Sequence, residues 1–364
     1  MRFVIAAGGT GGHLFPGLAV GEVLLSRGHE VMLLISEKEI DATATRGRNE
    51  FRIEKLAGIG MPKLFSPAIA GFAWRFWRGL RRCKALFNEW NPAAVLGMGG
   101  FTSTAPILAG RSRKVPTFVH ESNAIPGRAN RFNARYVTRV LIGFEECRAH
   151  FPNAQCENTG TPIRSALQNP IEKVSALAKF GLAPGKTTLL VMGGSQGARG
   201  INSAVCNAIP KLKALAWQAI HLTGAQDESA TRAAYAHGGV PAFVAAFHHR
   251  MEEAYSASDF AIARSGAASL AELSHFGLPA ILIPYPFAAD DHQTANAGIF
   301  AKAGAGTLLK ESDATADTIA RDIESFIANP ERLAEMSKRS RDIAPARAAE
   351  CVAETVLKFC PSKP

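Results

Sequence analysis

Several signatures of metal, disulfide and nucleoside-triphosphate sites are missing from this sequence. Its six cysteines form no C-x-x-C pair, so neither a zinc site nor a disulfide framework is expected. The chain has no Asp-x-Asp motif, and neither of its two main glycine-rich segments continues as G-K-[ST], which excludes a P-loop there. We therefore expect no metal, no cofactor and reduced thiols, as in a cytosolic protein.

Long apolar runs are also missing. No segment approaches the roughly 20 apolar residues that span a bilayer. The amino-terminal run covers only Phe3 to Ala7 before glycines interrupt it, so it is interpreted as a first strand and not as a signal peptide.

Acidic residues are fewer than basic ones, 31 against 41, and the formal net charge is +10. This charge favours an anionic partner such as a phosphorylated substrate, an acidic membrane surface or a nucleic acid.

Short apolar runs alternate with helical patterns along all 364 residues. This alternation predicts an α/β fold of two doubly wound parallel sheets, with a boundary near Thr161 and Pro162. The predicted domains are 1–161 and 162–343, followed by a C-terminal helix over 344–364. The predicted strands are Phe3–Ala7, Glu30–Ile35, Phe51–Leu56, Ala93–Leu96, Thr117–His120, Arg139–Ile142, Thr188–Met192, Gln218–Leu222, Ala242–Ala246, Phe260–Ala263 and Ala280–Ile283.

Two glycine loops follow the first strand of each predicted domain. They are Gly8–Gly12 and Gly193–Gly197, and each precedes a helical pattern. Glycine between a strand and a helix lets the backbone and the helix N-terminus approach a phosphate. A tight turn without a ligand is the alternative for either loop alone, but two such loops favour a nucleotide bound in a cleft. A third segment, Gly97–Gly100, could serve either an acceptor phosphate or backbone packing.

Polar residues follow several predicted strands. Glu121 and Asn123 follow strand Thr117–His120, Glu272 lies in the helix after Arg264, and Gln293 follows strand Ala280–Ile283. Carboxylates and amides at these strand ends lie at the ligand-binding edge of an open α/β sheet. A carboxylate such as Glu272 can bind both ribose hydroxyls, although an acid near a helix start is also favoured by the helix dipole alone.

His13 opens the helix after the first glycine loop and is a candidate general base. A histidine in this place can instead cap the helix or contact a phosphate, so its role stays open at this point.

Residues 62–90 combine aromatic and basic side chains. The segment carries a net charge of about +5, half of the excess of the chain. Trp74 and Trp77 share a helical stripe with arginines, which is the composition of a helix lying on anionic lipid. The alternative is a solvated basic face with both tryptophans in the core. No nucleic-acid reader motif accompanies the segment, so no nucleic-acid partner is expected.

Taken together, these segments resemble the lipid II-forming N-acetylglucosaminyltransferases of glycosyltransferase family 28. Seven ordered motifs carry this resemblance over roughly the first 300 residues, and Ser122, Thr161 and His248 depart from the usual family residues. The motifs are GGTGGHLFPGLAV (8–20), VLGMGGF (95–101), HESNAIPG (120–127), TGTPIR (159–164), GGSQGARGIN (193–202), RSGAASLAEL (264–273) and DDHQTANA (290–297).

The resemblance implies a GT-B fold, in which two Rossmann-like domains face a cleft and the last helix crosses back to the first domain. It implies that UDP-N-acetylglucosamine binds mainly to the second domain, with Glu272 on the ribose, Gln293 on the sugar, Ser195 on the diphosphate and the backbone near His248 on the uracil. The full set of substrate-binding residues it implies is Thr10, Gly11, Gly12, Asn123, Arg164, Ser195, His248, Ala267, Ala268, Ser269, Leu270, Ala271, Glu272 and Gln293.

The implied reaction is an inverting transfer of N-acetylglucosamine to lipid I (undecaprenyl-pyrophosphoryl-muramoyl-pentapeptide) at the cytoplasmic face of a bacterial inner membrane. His13 and Glu121 are the candidate catalytic bases, and residues 62–90 match the family's membrane-association patch. The alternatives are a related UDP-sugar enzyme, such as a hydrolysing 2-epimerase or a glycolipid glycosyltransferase, and a nucleotide-sugar-binding membrane protein without catalysis.

Overall fold

The structure, a computed structural model, describes residues 1–57, 68–194, 196–343, 345 and 347–360. The chain divides into two compact units. Unit 1 contains the described residues of Met1–Ser165 and Pro345–Pro364, and unit 2 those of Ala166–Ala344. Among the described residues, no helix is long and apolar enough to cross a bilayer. All six cysteines have free thiols.

Unit 1 contains a seven-stranded sheet whose strands are all parallel, in the order β3-β2-β1-β4-β5-β6-β7. Its strands are β1 (Arg2–Ala6), β2 (Glu30–Ser36), β3 (Arg52–Leu56), β4 (Ala94–Gly97), β5 (Thr117–Glu121), β6 (Arg139–Ile142) and β7 (Cys156–Asn158). Its first helices are α1 (Gly11–Ser26), α2 (Glu39–Ala44), α3 (Ala68–Trp90), α4 (Thr104–Ser112) and α5 (Arg128–Asn133).

Unit 2 contains a six-stranded parallel sheet in the order β10-β9-β8-β11-β12-β13. Its strands are β8 (Thr187–Met192), β9 (Trp217–Leu222), β10 (Ala242–Ala245), β11 (Phe260–Ala263), β12 (Ala280–Leu282) and β13 (Gly306–Leu308). Its helices are α6 (Lys173–Lys179), α7 (Arg199–Ala208), α8 (Glu228–Gly238), α9 (Met251–Ala257), α10 (Ala267–Phe276), α11 (His292–Lys302), α12 (Ala316–Ile327) and α13 (Pro330–Arg341).

The last helix, α14 (Ala348–Lys358), belongs to unit 1. Its apolar face, including Val352 and Val356, joins the core cluster formed by α1 and one face of the first sheet. The hydroxyl of Thr355 also donates to a carboxylate oxygen of Glu157 at 2.7 Å. The C-terminal helix is therefore part of the first core although the second unit precedes it in sequence.

The prediction of two doubly wound parallel sheets is confirmed. Strands such as β1 are buried on both faces, with Phe3 and Ile5 in one core cluster and Val4 and Ala6 in another, which explains their continuous apolar sequence. Two edge strands, β7 and β13, were not predicted. Each is only three residues long, and their sequences, CEN and GTL, contain no continuous apolar run, unlike the equally short but fully buried AIL of β12.

Helix α3 presents the two faces expected from its sequence, with one correction. The helical spacing of Ile69, Cys83 and Phe87 predicts one apolar face for the core. Cys83 and Phe87 are fully buried, but Ile69 is 39% exposed. Trp74 and Trp77 are 56% and 51% exposed, so the alternative that placed them in the core is wrong. Ser66 followed by Pro67 predicts a helix start, but residues 62–67 lie outside the described residues.

Candidate active site

The first glycine loop lies where the strand order of unit 1 reverses. Loop 8–12 follows β1, and the third glycine segment follows the neighbouring strand β4. Helices run off in opposite directions from such a switch point and leave a crevice at the carboxyl ends of the strands. Helix α1 begins at Gly11, so its first N–H groups point to this crevice. Thr10, Gly11, Gly12 and His13 are therefore brought together there.

The buried carboxylate of Asp41 holds the first glycine loop in place. Asp41 Oδ2 accepts hydrogen bonds from the backbone N–H of Gly9 at 2.8 Å and of Ser36 at 3.0 Å. The side chain of Lys38 also binds the loop, because its Nζ donates to the carbonyl oxygen of Gly9 at 2.8 Å. A Cβ on Gly8 would stand 2.4 Å from the backbone nitrogen of Ser36, so this close approach of β2 requires glycine.

His13 lies against the third glycine segment. A Cβ on Gly99 would stand 2.7 Å from His13 Nε2, and Gly99 has φ +117°. Nδ1 of His13 lies 3.2 Å from the hydroxyl oxygen of Thr10. Burial lowers the pKa of His13 below 6.5, while Glu121 and Asp41 oppose this shift and Lys38 adds to it. The ring is therefore neutral near pH 7 and can accept a proton. The third glycine segment, 97–100, packs against this ring.

Glu121 is buried at the end of β5, and both of its carboxylate oxygens accept hydrogen bonds. Oε1 accepts from the backbone and side-chain nitrogens of Asn123, at 2.9 and 3.0 Å. Oε2 accepts from the backbone of Gly127 at 3.1 Å and from Asn130 Nδ2 at 2.9 Å. Four donors around one carboxylate fix its orientation and order the loop between β5 and α5. This set of contacts also engages the amide of Asn123.

Arg164 lies near the start of α1. Its guanidinium carbon is 5.2 Å from the centre of the Phe15 ring, and Phe15 in turn packs close to Gly11. A guanidinium stacked on an aromatic ring keeps its planar fork of donors in a fixed direction. The structure therefore places Arg164 beside the first glycine loop.

Unit 2 contains a cavity of about 440 Å³ next to the second glycine loop. Its volume lies within the range of small-molecule sites. It also lies where the strand order of the second sheet reverses, between β8 and β11. The lining residues are Gly193, Gly194, Gly197, Ala198, Arg199, Gly200, Arg264, Gly266, Ser269, Tyr285, Gln293 and Glu311.

The second glycine loop is shaped by backbone packing. A Cβ on Gly197 would stand 2.0 Å from the carbonyl oxygen of Thr223, and one on Gly224 would stand 2.5 Å from the carbonyl oxygen of Gln196. Both glycines have positive φ angles, +74° and +78°. The loop and the turn at 223–224 can approach so closely only because neither glycine has a side chain. Ser195, the predicted diphosphate contact, lies outside the described residues.

The start of helix α10 faces the same cavity through Gly266 and Ser269. The first backbone bond of the helix runs from the N–H of Leu270 to the carbonyl of Gly266, so the N–H groups before Leu270 have no partner within the helix and suit an anion. The side chains of Ala267, Leu270 and Ala271 are buried in the core. Within this predicted binding segment, these three residues can therefore offer only backbone atoms to a ligand.

Gln293 is held at the cavity wall by the loop that precedes it. Its Oε1 accepts from the backbone N–H of Tyr285 at 2.9 Å, and its carbonyl oxygen accepts from the hydroxyl of Ser265 at 2.8 Å. These bonds leave the side-chain NH₂ group as the donor end of the amide. Gln293 is therefore oriented by β11 and by the loop after β12.

An ion pair closes another side of the cavity. Arg264 Nη1 lies 2.6 Å from Glu311 Oε2 and also donates to the carbonyls of Ile283 and Pro284 at 3.1 and 3.0 Å. A Cβ on Gly200 would stand 2.0 Å from Glu311 Oε1, so a larger residue there would displace the Glu311 carboxylate. Sequence reasoning missed Glu311 and Asp41. Each is a single acid in an ordinary polar segment, and its contacts are distant in sequence.

His248 follows β10 and turns its ring into unit 2. Its Nε2 lies 3.0 Å from Glu253 Oε2, and its ring centre lies 5.1 Å from that of Phe180 and 6.0 Å from that of Phe243. Because the side chain is engaged in this way, the predicted uracil contact would fall to the backbone near His248. That contact and the other predicted substrate contacts stay predictions.

Both halves of the chain match one family. Residues 3–142 match the glycosyltransferase family 28 N-terminal domain, and residues 188–352 match the family 28 C-terminal domain. Proteins named UDP-N-acetylglucosamine--N-acetylmuramyl-(pentapeptide) pyrophosphoryl-undecaprenol N-acetylglucosamine transferase are similar over nearly the whole length. The one from Halalkalibacterium halodurans is 34% identical over 96% of this chain and 97% of its own. The one from Geobacter sulfurreducens is 36% identical over 98% of each.

Solved structures agree with these sequence matches. The crystal structure of Acinetobacter baumannii MurG has a TM-score of 0.79 and 27% identity, covering 98% of this chain and 99% of that one. The calicheamicin glycosyltransferase CalG4 has a TM-score of 0.66 at 15% identity, covering 98% and 97%. At that identity the second likeness concerns the fold alone, which is the GT-B fold expected from the sequence.

Proposed function

Because this chain belongs to glycosyltransferase family 28, we propose that it transfers N-acetylglucosamine from UDP-N-acetylglucosamine to lipid I and so forms lipid II for peptidoglycan. The named relatives, matched over their full lengths, support this reaction. The structural observation that carries the proposal is the cavity in unit 2, where a glycine loop, a helix start and an oriented glutamine meet. These groups suit a sugar diphosphate.

The reaction is a direct displacement at the anomeric carbon of the donor sugar. The C4 hydroxyl oxygen of the muramoyl sugar forms the new bond while the bond to the β-phosphate oxygen breaks, and UDP leaves with the electron pair. Negative charge therefore grows on the diphosphate in the transition state. The N-terminus of α10 and the backbone of loop 193–197 are fixed dipoles that stabilise this charge. Glu272 binds the ribose, and Gln293 binds the sugar.

The proton of the acceptor hydroxyl passes to His13. This histidine has a lowered pKa and lies at the start of α1 beside the first glycine loop. Glu121 is the weaker candidate because both its oxygens already accept two hydrogen bonds each. We assign it the ordering of the loop after β5. The acceptor is bound by residues at the first glycine loop and after β5, namely Thr10, Gly11, Gly12, Asn123 and Arg164.

Substitution of His13 tests this assignment. Loss of a general base costs about 10²- to 10⁴-fold in rate, so His13→Ala should lower kcat by this factor without changing the affinity for UDP. Glu121→Gln places an NH₂ group against N–H donors and should chiefly lower the melting temperature. Full turnover of His13→Ala would remove His13 as the base. A folded Glu121→Gln protein with normal stability but no turnover would return that role to Glu121.

The reaction itself is tested by UDP release from UDP-N-acetylglucosamine in metal-free buffer, with and without a short-chain lipid I analogue. Release that depends on the analogue, with a new disaccharide product, is the expected result. Release without the analogue would point to a hydrolysing epimerase. Donor binding without release in either condition would contradict transfer to lipid I.

We further propose that α3 holds the enzyme on the cytoplasmic face of the inner membrane. Arg78 stacks on the ring of Trp74 at 4.6 Å and Arg81 on that of Trp77 at 4.8 Å. Exposed indole rings beside guanidinium groups suit the interface of an anionic bilayer. The double variant Trp74→Ser, Trp77→Ser should lose sedimentation with vesicles that contain anionic phospholipid. Phe247→Ser in unit 2, where Phe247 is 49% exposed, is the matched control, and equal loss in both would contradict the proposal.

A further inference from the structure

Tyr255 is a buried tyrosine whose hydroxyl contacts Glu272, a residue of the proposed donor site, from within the core of unit 2. It lies in α9 with a side chain only 2% exposed. Its hydroxyl donates to Glu272 Oε2 at 2.6 Å. The sulfur of Met192, the last residue of β8, lies 3.6 Å from the same hydroxyl. The hydroxyl therefore lies where β8, α9 and α10 converge, directly before the second glycine loop.

The single proton of the hydroxyl belongs to Glu272. A phenol has one proton to donate, and a carboxylate is a much stronger acceptor than a thioether, particularly at the shorter distance. A bond of this kind restricts the rotation of the Glu272 side chain. The carboxylate is thus oriented by a neighbour that itself belongs to the core.

The ring of Tyr255 is fixed as well. Its centre lies 5.0 Å from that of Phe276, with an interplanar angle of 30°. Phe276 follows Glu272 by four residues on α10, so both side chains lie on one face of that helix. Tyr255 therefore packs along this face, with its ring on Phe276 and its hydroxyl on Glu272. Packing fixes the ring, and the ring fixes the direction in which the hydroxyl donates.

We propose that Tyr255 is a positioning residue for donor recognition: its hydroxyl orients the Glu272 carboxylate that binds the two ribose hydroxyls of the UDP-sugar. This inference rests on the proposed function of the donor site. An acidic side chain that is already oriented loses less conformational freedom on binding. The benefit appears in donor affinity and depends on the ribose hydroxyls, since Tyr255 itself touches neither the sugar nor the reacting atoms.

The test compares two donors, UDP-N-acetylglucosamine and its 2′-deoxyribose analogue, with the variant Tyr255→Phe, which keeps the ring. The variant should raise the KM for UDP-N-acetylglucosamine about tenfold, the factor that corresponds to one hydrogen bond to a charged group. Its kcat should stay within about twofold, and its KM for the deoxy analogue should rise by a smaller factor, because that donor keeps only the 3′-hydroxyl as a partner for Glu272. In a Glu272→Ala background, Tyr255→Phe should have no further effect on KM.

Ser274→Ala is the matched control. Ser274 is buried on the same helix, and its hydroxyl donates to the carbonyl of Ser340 at 2.6 Å, so this variant also loses one buried hydrogen bond of α10. It should lower the melting temperature without changing either KM. An equal rise in KM for both donors in Tyr255→Phe, or an unchanged KM, would overturn the inference while Glu272→Ala still discriminates between the donors. If Glu272→Ala does not discriminate, the ribose role assigned to the donor site fails.

Discussion

Loop 8–12 follows β1 and loop 193–197 follows β8, each at the reversal of strand order in its sheet, yet different atoms hold them in place. Side chains hold the first loop, with the carboxylate of Asp41 on the N–H of Gly9 and the ammonium of Lys38 on its carbonyl. Backbone contact holds the second loop, with Gly197 packed against the carbonyl of Thr223. Similar glycine-rich sequences therefore have different structural supports.

The difference matters for the binding of anions. In the first loop a carboxylate of the protein already occupies one backbone donor, so a substrate phosphate would depend on the start of α1 and on cationic neighbours. Among the residues that line the second cavity, the acid is Glu311, and it is paired with Arg264. Protein carboxylates therefore compete less with an anion at the proposed nucleotide site of the second loop than at the proposed acceptor site of the first.

The largest effect is expected for Gly197→Ala. The new Cβ would stand 2.0 Å from a carbonyl oxygen, so the loop must move, and unit 2 should lose about 4 kcal/mol of stability. A displacement of about 1 Å at a binding site can cost about 10²-fold, which is the loss expected in UDP affinity by calorimetry. Gly298→Ala lies within α11, where nothing is within 4 Å of the Cβ; it should leave UDP affinity unchanged and raise stability by about 1 kcal/mol or less. Normal UDP affinity of the Gly197→Ala protein would contradict the conclusion that backbone contact shapes the second loop for binding.

Asp41→Ala should have the next largest effect, and it should concern the acceptor. The partly buried N–H of Gly9 and the buried N–H of Ser36 lose their partner, which costs about 2–3 kcal/mol in total. The KM for the lipid I analogue should rise while UDP affinity stays constant, as measured by steady-state kinetics and calorimetry. A parallel fall in UDP affinity would show that the two loops do not serve separate substrates.

Acidification should weaken unit 2 through His221. Burial lowers the pKa of His221 to about 3, so the folded chain leaves it neutral while the unfolded chain protonates it below about pH 6.5. The unfolded state then binds more protons, and stability falls by about 1.4 kcal/mol between neutral pH and pH 5.5. His221→Gln should flatten this part of the melting-temperature profile. His237→Gln, at an exposed position on α8, should leave the profile unchanged, and a flattening by both would refute the assignment to His221.

Gly9→Ala should have the smallest effect and marks the contrast with Gly197→Ala. Gly9 has φ +101°, but no atom lies within 4 Å of its Cβ position. Only backbone strain opposes the substitution, which costs about 1 kcal/mol. The melting temperature should fall slightly and turnover should fall only severalfold. A loss as large as that of Gly197→Ala would mean that the first loop is also shaped by backbone contact.

The fold was largely predictable because central strands are long and apolar. Strands such as β1 and β8 have five and six residues, and their burial on both faces produces continuous runs that a sequence displays directly. The edge strands β7 and β13 were missed because CEN and GTL are short, only partly buried segments without a continuous apolar run. The amphipathic pattern of α3 separated its buried face from its exposed tryptophans, except at Ile69.

Within the site, the sequence pointed to residues at the ends of loops and strands but not to the residues that support them. Motif positions such as His13, Glu121 and Gln293 stand beside glycines or follow strands, and this context made them visible. The sequence context could not show that Glu121 accepts four hydrogen bonds. Three of the donors, on Asn123, Gly127 and Asn130, reach the carboxylate only because the chain after β5 folds back on it.

The sequence by itself determined the alternation of strands and helices, the places of both glycine loops and the family to which the motifs belong. These features follow from short-range periodicity and from residues that are adjacent in the chain. Only the tertiary structure decided that Asp41 bonds to Gly9, 32 residues away, and that Tyr255 orients Glu272 from a neighbouring helix. Such contacts depend on which elements pack together, and one polar residue among many carries no local sign of its distant partner.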